Sequence, residues 1–338
     1  MRVIHPASAA IIMAFGIFLY AAVEAFPFLD IVLGGALTIV LVIGSIVVYL
    51  LLTRQCFHRD FLLPILRQPV QFFTLGTWIA GVSVLCNVLV KYFPANSMAV
   101  QVIAGVNTFF WILFFLCCLY QFKQLLRFPA KYPVHGVILL STVSTQSIVI
   151  VWTESYPFLS RTLMLIVLGI GIIFYIFGIC LLGMRYKRRN QWSLVEEWTN
   201  TNCIIHGALS ITGLALVPLQ FLSADAMTMF WLIVFSLLLI VEGMEVTRAV
   251  LRVRRLGWKK GIFTYNVSQW SRNFTFGMFY AFTMMMHESS HYPSVLYDFQ
   301  ASFLTVWAWV VLAVLLAEIG IWGVAVKEQL RSPSSLVS

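Results

Sequence analysis

The sequence predicts an all-α integral membrane protein with ten transmembrane helices. They pair as five helical hairpins in a quasi-five-fold arrangement around a central axis. Three observations carry this prediction. The chain has 338 residues, of which 61% are hydrophobic and only 10% charged, against roughly 25% charged in a typical soluble domain. Its apolar residues fall into continuous runs of helix length. Those runs recur at a regular interval.

The apolar stock suffices for about ten spans of roughly 20 residues each. Read in order, the segments lie at 7–25, 31–53, 70–90, 98–120, 136–153, 162–184, 203–222, 227–247, 265–286 and 301–326. They are not the ten-residue alternating strands of a closed barrel. The first reads as a retained span, because Glu24 interrupts the one plausible signal-cleavage region. The whole chain, 1–338, reads as a single transmembrane domain with a short cytoplasmic tail at 327–338.

The formal charge of +9 acquires meaning from its location. With the N-terminus inside, 19 of the 22 basic residues fall on the cytoplasmic side. They are Arg2; Arg54, Arg59 and Arg67; Lys123, Arg127 and Lys131; Arg185, Lys187, Arg188 and Arg189; Arg248, Arg252, Arg254, Arg255, Lys259 and Lys260; Lys327 and Arg331. Lys91 and Arg161 fall outside, and Arg272 falls inside a span. The positive-inside rule then places both termini in the cytoplasm of a multi-pass cell-membrane protein. The charge reflects topology and anionic-lipid contact, and nucleic acid is not an expected partner.

The odd-numbered segments begin near 7, 70, 136, 203 and 265, at intervals of 63, 66, 67 and 62. Regular spacing of this kind is a repeat signature. Each unit is an outgoing helix, a short outer turn and a returning helix. Pro27, Pro94, Pro157 and Pro293 mark the outer turns. Most odd segments are polar. The third has Thr74, Thr77, Ser83 and Asn87; the fifth runs Ser141, Thr142, Ser144, Thr145, Gln146, Ser147. The seventh has His206, Ser210 and Thr212; the ninth has Asn266, Ser268, Gln269, Ser271, Arg272, Asn273 and Thr275. The even segments are greasier. Polar groups facing lipid are costly, so the odd helices belong inside an outer shell of even ones.

Several residues could carry chemistry. Arg272 needs a partner within the membrane. An ion pair with Glu318 or Glu242 is one reading; an anion-attracting position on the inner surface is the other. Glu245 and Arg248, three apart, read as a snorkelling pair. His206 is a candidate for proton coupling, set against a simple interhelical hydrogen bond. Cys56, Cys86, Cys117, Cys118, Cys180 and Cys203 form no CxxC and read as small apolar residues. There is no HExxH, P-loop or paired-histidine spacing, so no enzyme chemistry, metal or cofactor is expected.

The ninth segment contains Phe274-Thr275-Phe276-Gly277, the first Phe15-Gly16-Ile17, and the third opens on Pro69-Val70-Gln71-Phe72. Together with ten spans at this spacing, these resemble the tellurite-resistance/dicarboxylate transporter family. That family includes the bacterial TehA-like proteins, fungal malate permeases and the slow anion channels of plant guard cells. The resemblance implies a pore through each protomer, a homotrimer, and a phenylalanine plugging the pore midway. By motif position that gate is Phe276. The pore-lining candidates are Phe15 and Phe72, with Arg272, Thr145 and Ser210. Arg272-Asn273 ahead of the motif and the lack of proline within the fifth segment are departures from the TehA-like pattern. The expected function is a channel or transporter for small anions. The alternatives are a proton-coupled C4-dicarboxylate or tellurite/sulfite carrier, and a non-transporting receptor or assembly protein.

Overall fold

A computed structural model describes residues 4–188, 193–292 and 295–331, without the side chains of 329 and 330. Arg2, Arg189, Pro293 and tail residues 332–338 lie outside the described residues. The described chain is all-helical, with no strand. The helices are α1 (Ala10–Tyr20), α2 (Gly34–Cys56), α3 (Arg59–Arg67), α4 (Pro69–Phe72), α5 (Gly76–Tyr92), α6 (Ser97–Arg127) and α7 (Leu140–Ser155). They continue with α8 (Arg161–Lys187), α9 (Leu194–Glu197), α10 (Ile204–Leu219), α11 (Ala224–Gly261), α12 (Trp270–Glu288) and α13 (Tyr297–Arg331). Short 3-10 turns precede α1, α5, α7, α10 and α12.

Among the described residues, eight helices are long and apolar enough to cross a membrane. The two other expected spans differ for physical reasons. The apolar helix at the start, Pro6–Tyr20, has 15 residues, or roughly 22 Å against a hydrocarbon core of about 30 Å. A further turn, Ala22–Ala25, lengthens it only slightly. Helix α12 has 19 residues, but Ser271, Arg272, Asn273 and Thr275 dilute its apolar content.

Five helices pack side by side in a closed cycle: α1 on α5, α5 on α7, α7 on α10, α10 on α12, and α12 back on α1. The seams are close because a glycine sits in each. A Cβ at Gly16 would lie 2.4 Å from Val84, at Gly76 2.8 Å from the Leu140 carbonyl, and at Gly136 2.0 Å from the Thr201 carbonyl. At Gly207 it would lie 2.1 Å from Thr275, and at Gly277 2.5 Å from Ile17. Small residues let membrane helices approach in this way, so that dispersion contacts and interhelical hydrogen bonds replace a hydrophobic driving force.

Helices α2, α6, α8, α11 and α13 pack on the outside of the cycle. The inner helix Gly136–Ser155 has 94% of its most apolar stretch buried, whereas Tyr297–Glu328 has 17%. The exposed outer faces carry side chains such as Ile39, Val40, Phe109, Phe110, Ile173 and Trp309, as lipid-facing surfaces require. The outer helices also run longer than their apolar segments. Basic residues continue them, as in α11, which carries Arg248, Arg252, Arg254 and Arg255 before its helix breaks at Gly257 (φ 76°).

Candidate functional site: the ring axis and a charge cluster behind it

Two small voids, each about the size of one water, lie between the five inner helices. Towards the basic face, the lining is Ala10, Met13, Thr77, Leu140, Val143, Ile204, Ser271 and Phe274. Towards the opposite face it is Ile17, Tyr20, Val84, Asn87, Ser147, Ile150, Ile211, Leu214 and Met278. These residues define the axis. They also reveal the repeat with its register. Ala10, Thr77, Leu140, Ile204 and Ser271 are separated by 67, 63, 64 and 67 residues. Ile17, Val84, Ser147, Ile211 and Met278 are separated by the same four intervals.

The axis is mixed in character. Thr77 and Ser271 line its basic end, while Ser147, Asn87 and Tyr20 line the other half. Met13, Val143 and Phe274 form an apolar belt beside Ile17, Val84, Ile211 and Met278. The Asn87 amide oxygen is buried without a hydrogen-bond partner. Ser147 donates to the Ser144 carbonyl at 2.8 Å, so its hydroxyl is already engaged.

The helical phase corrects several expectations. At 3.6 residues per turn, Phe276 is rotated by about 200° from Phe274. It therefore faces away from the axis and packs on Trp307 of α13, with ring centroids 5.1 Å apart. His206 lies on its other side at 6.4 Å. Phe276 lines neither void, whereas Phe274 lines the one towards the basic face. Phe15 and Thr145 share that outward register position. Phe15 packs on Trp270 at 5.7 Å, and Thr145 accepts from the Trp111 indole at 3.1 Å. Phe72 stacks on Phe114 of α6 at 5.2 Å, again behind the ring. Ser210 lines neither void, and its hydroxyl donates to the His206 carbonyl at 2.9 Å. The axis residues were legible only through the phase of the repeat, which residue types alone do not supply.

Arg272 also points behind the ring. Its Nε lies 3.3 Å from Glu242 Oε2, and its Nη2 lies 3.0 Å from Glu245 Oε1. Glu242 is thus one of its partners, together with Glu245, a residue read from the sequence only as the mate of Arg248. That second pair is present at 2.9 Å, so Glu245 bridges two guanidinium groups. Arg248 also donates to Asn200 Oδ1 at 2.8 Å. His206, fully buried, places Nε2 3.6 Å from Glu242 Oε1. Glu318, only 6% exposed, forms no ion pair among the described residues, although the charge of Arg272 reaches it. An ion-pair cluster therefore joins α10, α11 and α12 in the half of the bundle towards the basic face, with Glu318 of α13 within the field of Arg272.

On the opposite face, Lys91 is saturated. It reaches Glu24 at 2.6 Å and Asp30 at 3.6 Å and donates to the Leu19 and Tyr20 carbonyls. No group of three or more metal-ligating side chains occurs among the described residues. No protein-family model matches the chain, and no curated protein matches it.

Proposed function

We propose that the protein is a cell-membrane channel or transporter for small anions, with its pathway along the axis of the five-helix ring. The observation that carries this reading is the closed ring with an axial row of paired positions in register. The two voids on that axis supply the free space that supports the reading. The reading takes all five helical hairpins as spanning units in quasi-five-fold symmetry, ten spans in all, with both termini cytoplasmic. The two helices that fall short of a full apolar span belong to the inner ring, where neighbouring protein replaces lipid as the surrounding medium.

The chemistry follows from the lining. An apolar belt in a pore blocks ions sterically or by dewetting. Phe274, held between Met13 and Val143, is the blocking side chain, in place of the Phe276 expected from motif position. Sign selection comes from the basic face, where Arg54, Arg67, Lys123, Arg127, Arg185 and Lys187 raise the local anion concentration. Ser271 offers a hydroxyl donor at the first step of the path, while the Thr77 hydroxyl donates to the Thr74 carbonyl at 2.8 Å. The resemblance to the tellurite-resistance/dicarboxylate transporter family supports the same reading and adds a homotrimeric assembly.

A carrier for dicarboxylate, tellurite or sulfite is the second reading. It is favoured by the separation of the two voids, which leaves axial space closed off on both sides. Reconstitution into planar bilayers tests the main reading. Anion-selective current that grows in Phe274→Ala is expected. The absence of anion movement from both wild type and variant in bilayers and in loaded vesicles overturns it.

A further inference from the structure

The charge cluster behind the ring has an odd count. Arg272 and Arg248 contribute two positive charges; Glu242, Glu245 and Glu318 contribute three negative ones. Arg272 is engaged with Glu242 and Glu245 at 3.3 and 3.0 Å, and Arg248 with Glu245 at 2.9 Å. Glu318 is left over. It is buried, its Oε1 has no hydrogen-bond partner, and the one guanidinium whose field reaches it is engaged elsewhere. A buried charge without a partner is strongly disfavoured, and a carboxylate in that position neutralises by taking up a proton.

We propose that this cluster is a proton-binding site, with the exchangeable proton carried by the carboxyl group of Glu318. Uptake converts the Glu318 carboxylate to the acid and brings the five groups from a net charge of −1 to zero. The proton comes from water at the basic face and returns there. The ion-paired groups lead towards that face through Glu245 and Arg248, and Arg248 contacts Asn200 in the turn before α10.

The groups facing the site come from every element packed around it. Helix α10 supplies His206, with Cys203 just before it; α11 supplies Glu242, Glu245 and Arg248, with Arg252 acting on Arg248; α12 supplies Arg272, and Tyr265 precedes α12. His206 is the competing position, since it also lies beside a carboxylate. Its ring is boxed between Glu242 and Phe276, and neither nitrogen makes a hydrogen bond. Towards the opposite face, Phe276 packs at a tilt on Trp307, and Trp307 stacks on Phe303, forming an aromatic wall. The proton therefore exchanges with one side of the membrane only, which makes the site responsive to the pH of that side.

Infrared difference spectra of the purified protein in lipid, stepped from alkaline to acid pH, test the site without assuming transport. A carboxylic-acid carbonyl band that titrates in wild type, disappears in Glu318→Gln and persists in Glu242→Gln and His206→Gln is expected. A band unchanged in Glu318→Gln, or no titrating carboxyl band in wild type, overturns the proposal. A second arm rests on the transport reading given above. Anion flux into vesicles depends on the pH at the basic face in wild type and loses that dependence in Glu318→Gln. Flux that keeps its pH profile in Glu318→Gln overturns the link to transport. If neither wild type nor any variant moves anions, the transport reading fails and the infrared band still decides the site.

Discussion

Phe274 and Phe276 are two residues apart and have opposite surroundings. One touches the axis and the other packs on Trp307. Motif position drew attention to this stretch of sequence, but only helical phase separates the two rings. The same holds for Phe15, Thr145 and Phe276, which share one register position and all point outward. Arg272 was legible as a residue requiring a partner, and Glu242 as a candidate. The bridging role of Glu245 was hidden, because its spacing to Arg248 already explained it. Arg272→Gln leaves Glu242 without its guanidinium and Glu245 with one partner instead of two. Breaking one side of a largely buried ion pair costs about 3 kcal/mol, so a clear drop in thermal unfolding temperature in detergent is expected. An unchanged melting temperature contradicts the pairing. His135 gives a pH-dependent counterpart at the basic face. Burial, reinforced by the Arg185 charge, lowers its pKa from 6.5 to about 4, and its ring contacts Thr201 Oγ1 at 2.8 Å. The folded state keeps this ring neutral while the unfolded chain protonates near 6.5. Its favourable contribution is thus complete above that pH and is lost as pH falls towards about 4. Thermal stability measured across this window falls on acidification, and His135→Asn reduces the slope.

At the scale of elements, the division into polar inner and apolar outer helices was readable from composition, since lipid tolerates one and not the other. The lengths were less readable. Outer helices run on past their apolar segments through basic residues that count against a span, and α1 is shorter than its apolar segment. The five seam glycines were visible as glycines, but their contacts were not. Gly207→Ala places a methyl group 2.1 Å from Thr275 Cγ2 at the α10–α12 seam. Overpacking of this kind costs about 1–3 kcal/mol. Gly243 on α11 has open space around its Cα. There, alanine raises helix propensity by up to about 1 kcal/mol. Parallel melting curves check the contrast: a marked loss for Gly207→Ala and none for Gly243→Ala. Equal behaviour of the two contradicts the seam assignment.

For the molecule as a whole, the repeat interval announced five similar units, and the contact cycle α1–α5–α7–α10–α12 closes them on each other. The sequence spacing showed the period. The register came only when Ser147 and Asn87 met Ile17, Ile211 and Met278 around one void. The axis then divides the molecule into two zones. Two water-sized voids beside an apolar belt lie along the ring axis, and an ionisable cluster lies behind it between the ring and α11 and α13. We assign permeation to the first and proton binding to the second. The most direct test compares anion flux into lipid vesicles for wild type, Phe274→Ala and Phe276→Ala at equal protein density. An axial gate at Phe274 predicts increased flux in Phe274→Ala and wild-type flux in Phe276→Ala. Increased flux in Phe276→Ala with none in Phe274→Ala would contradict it.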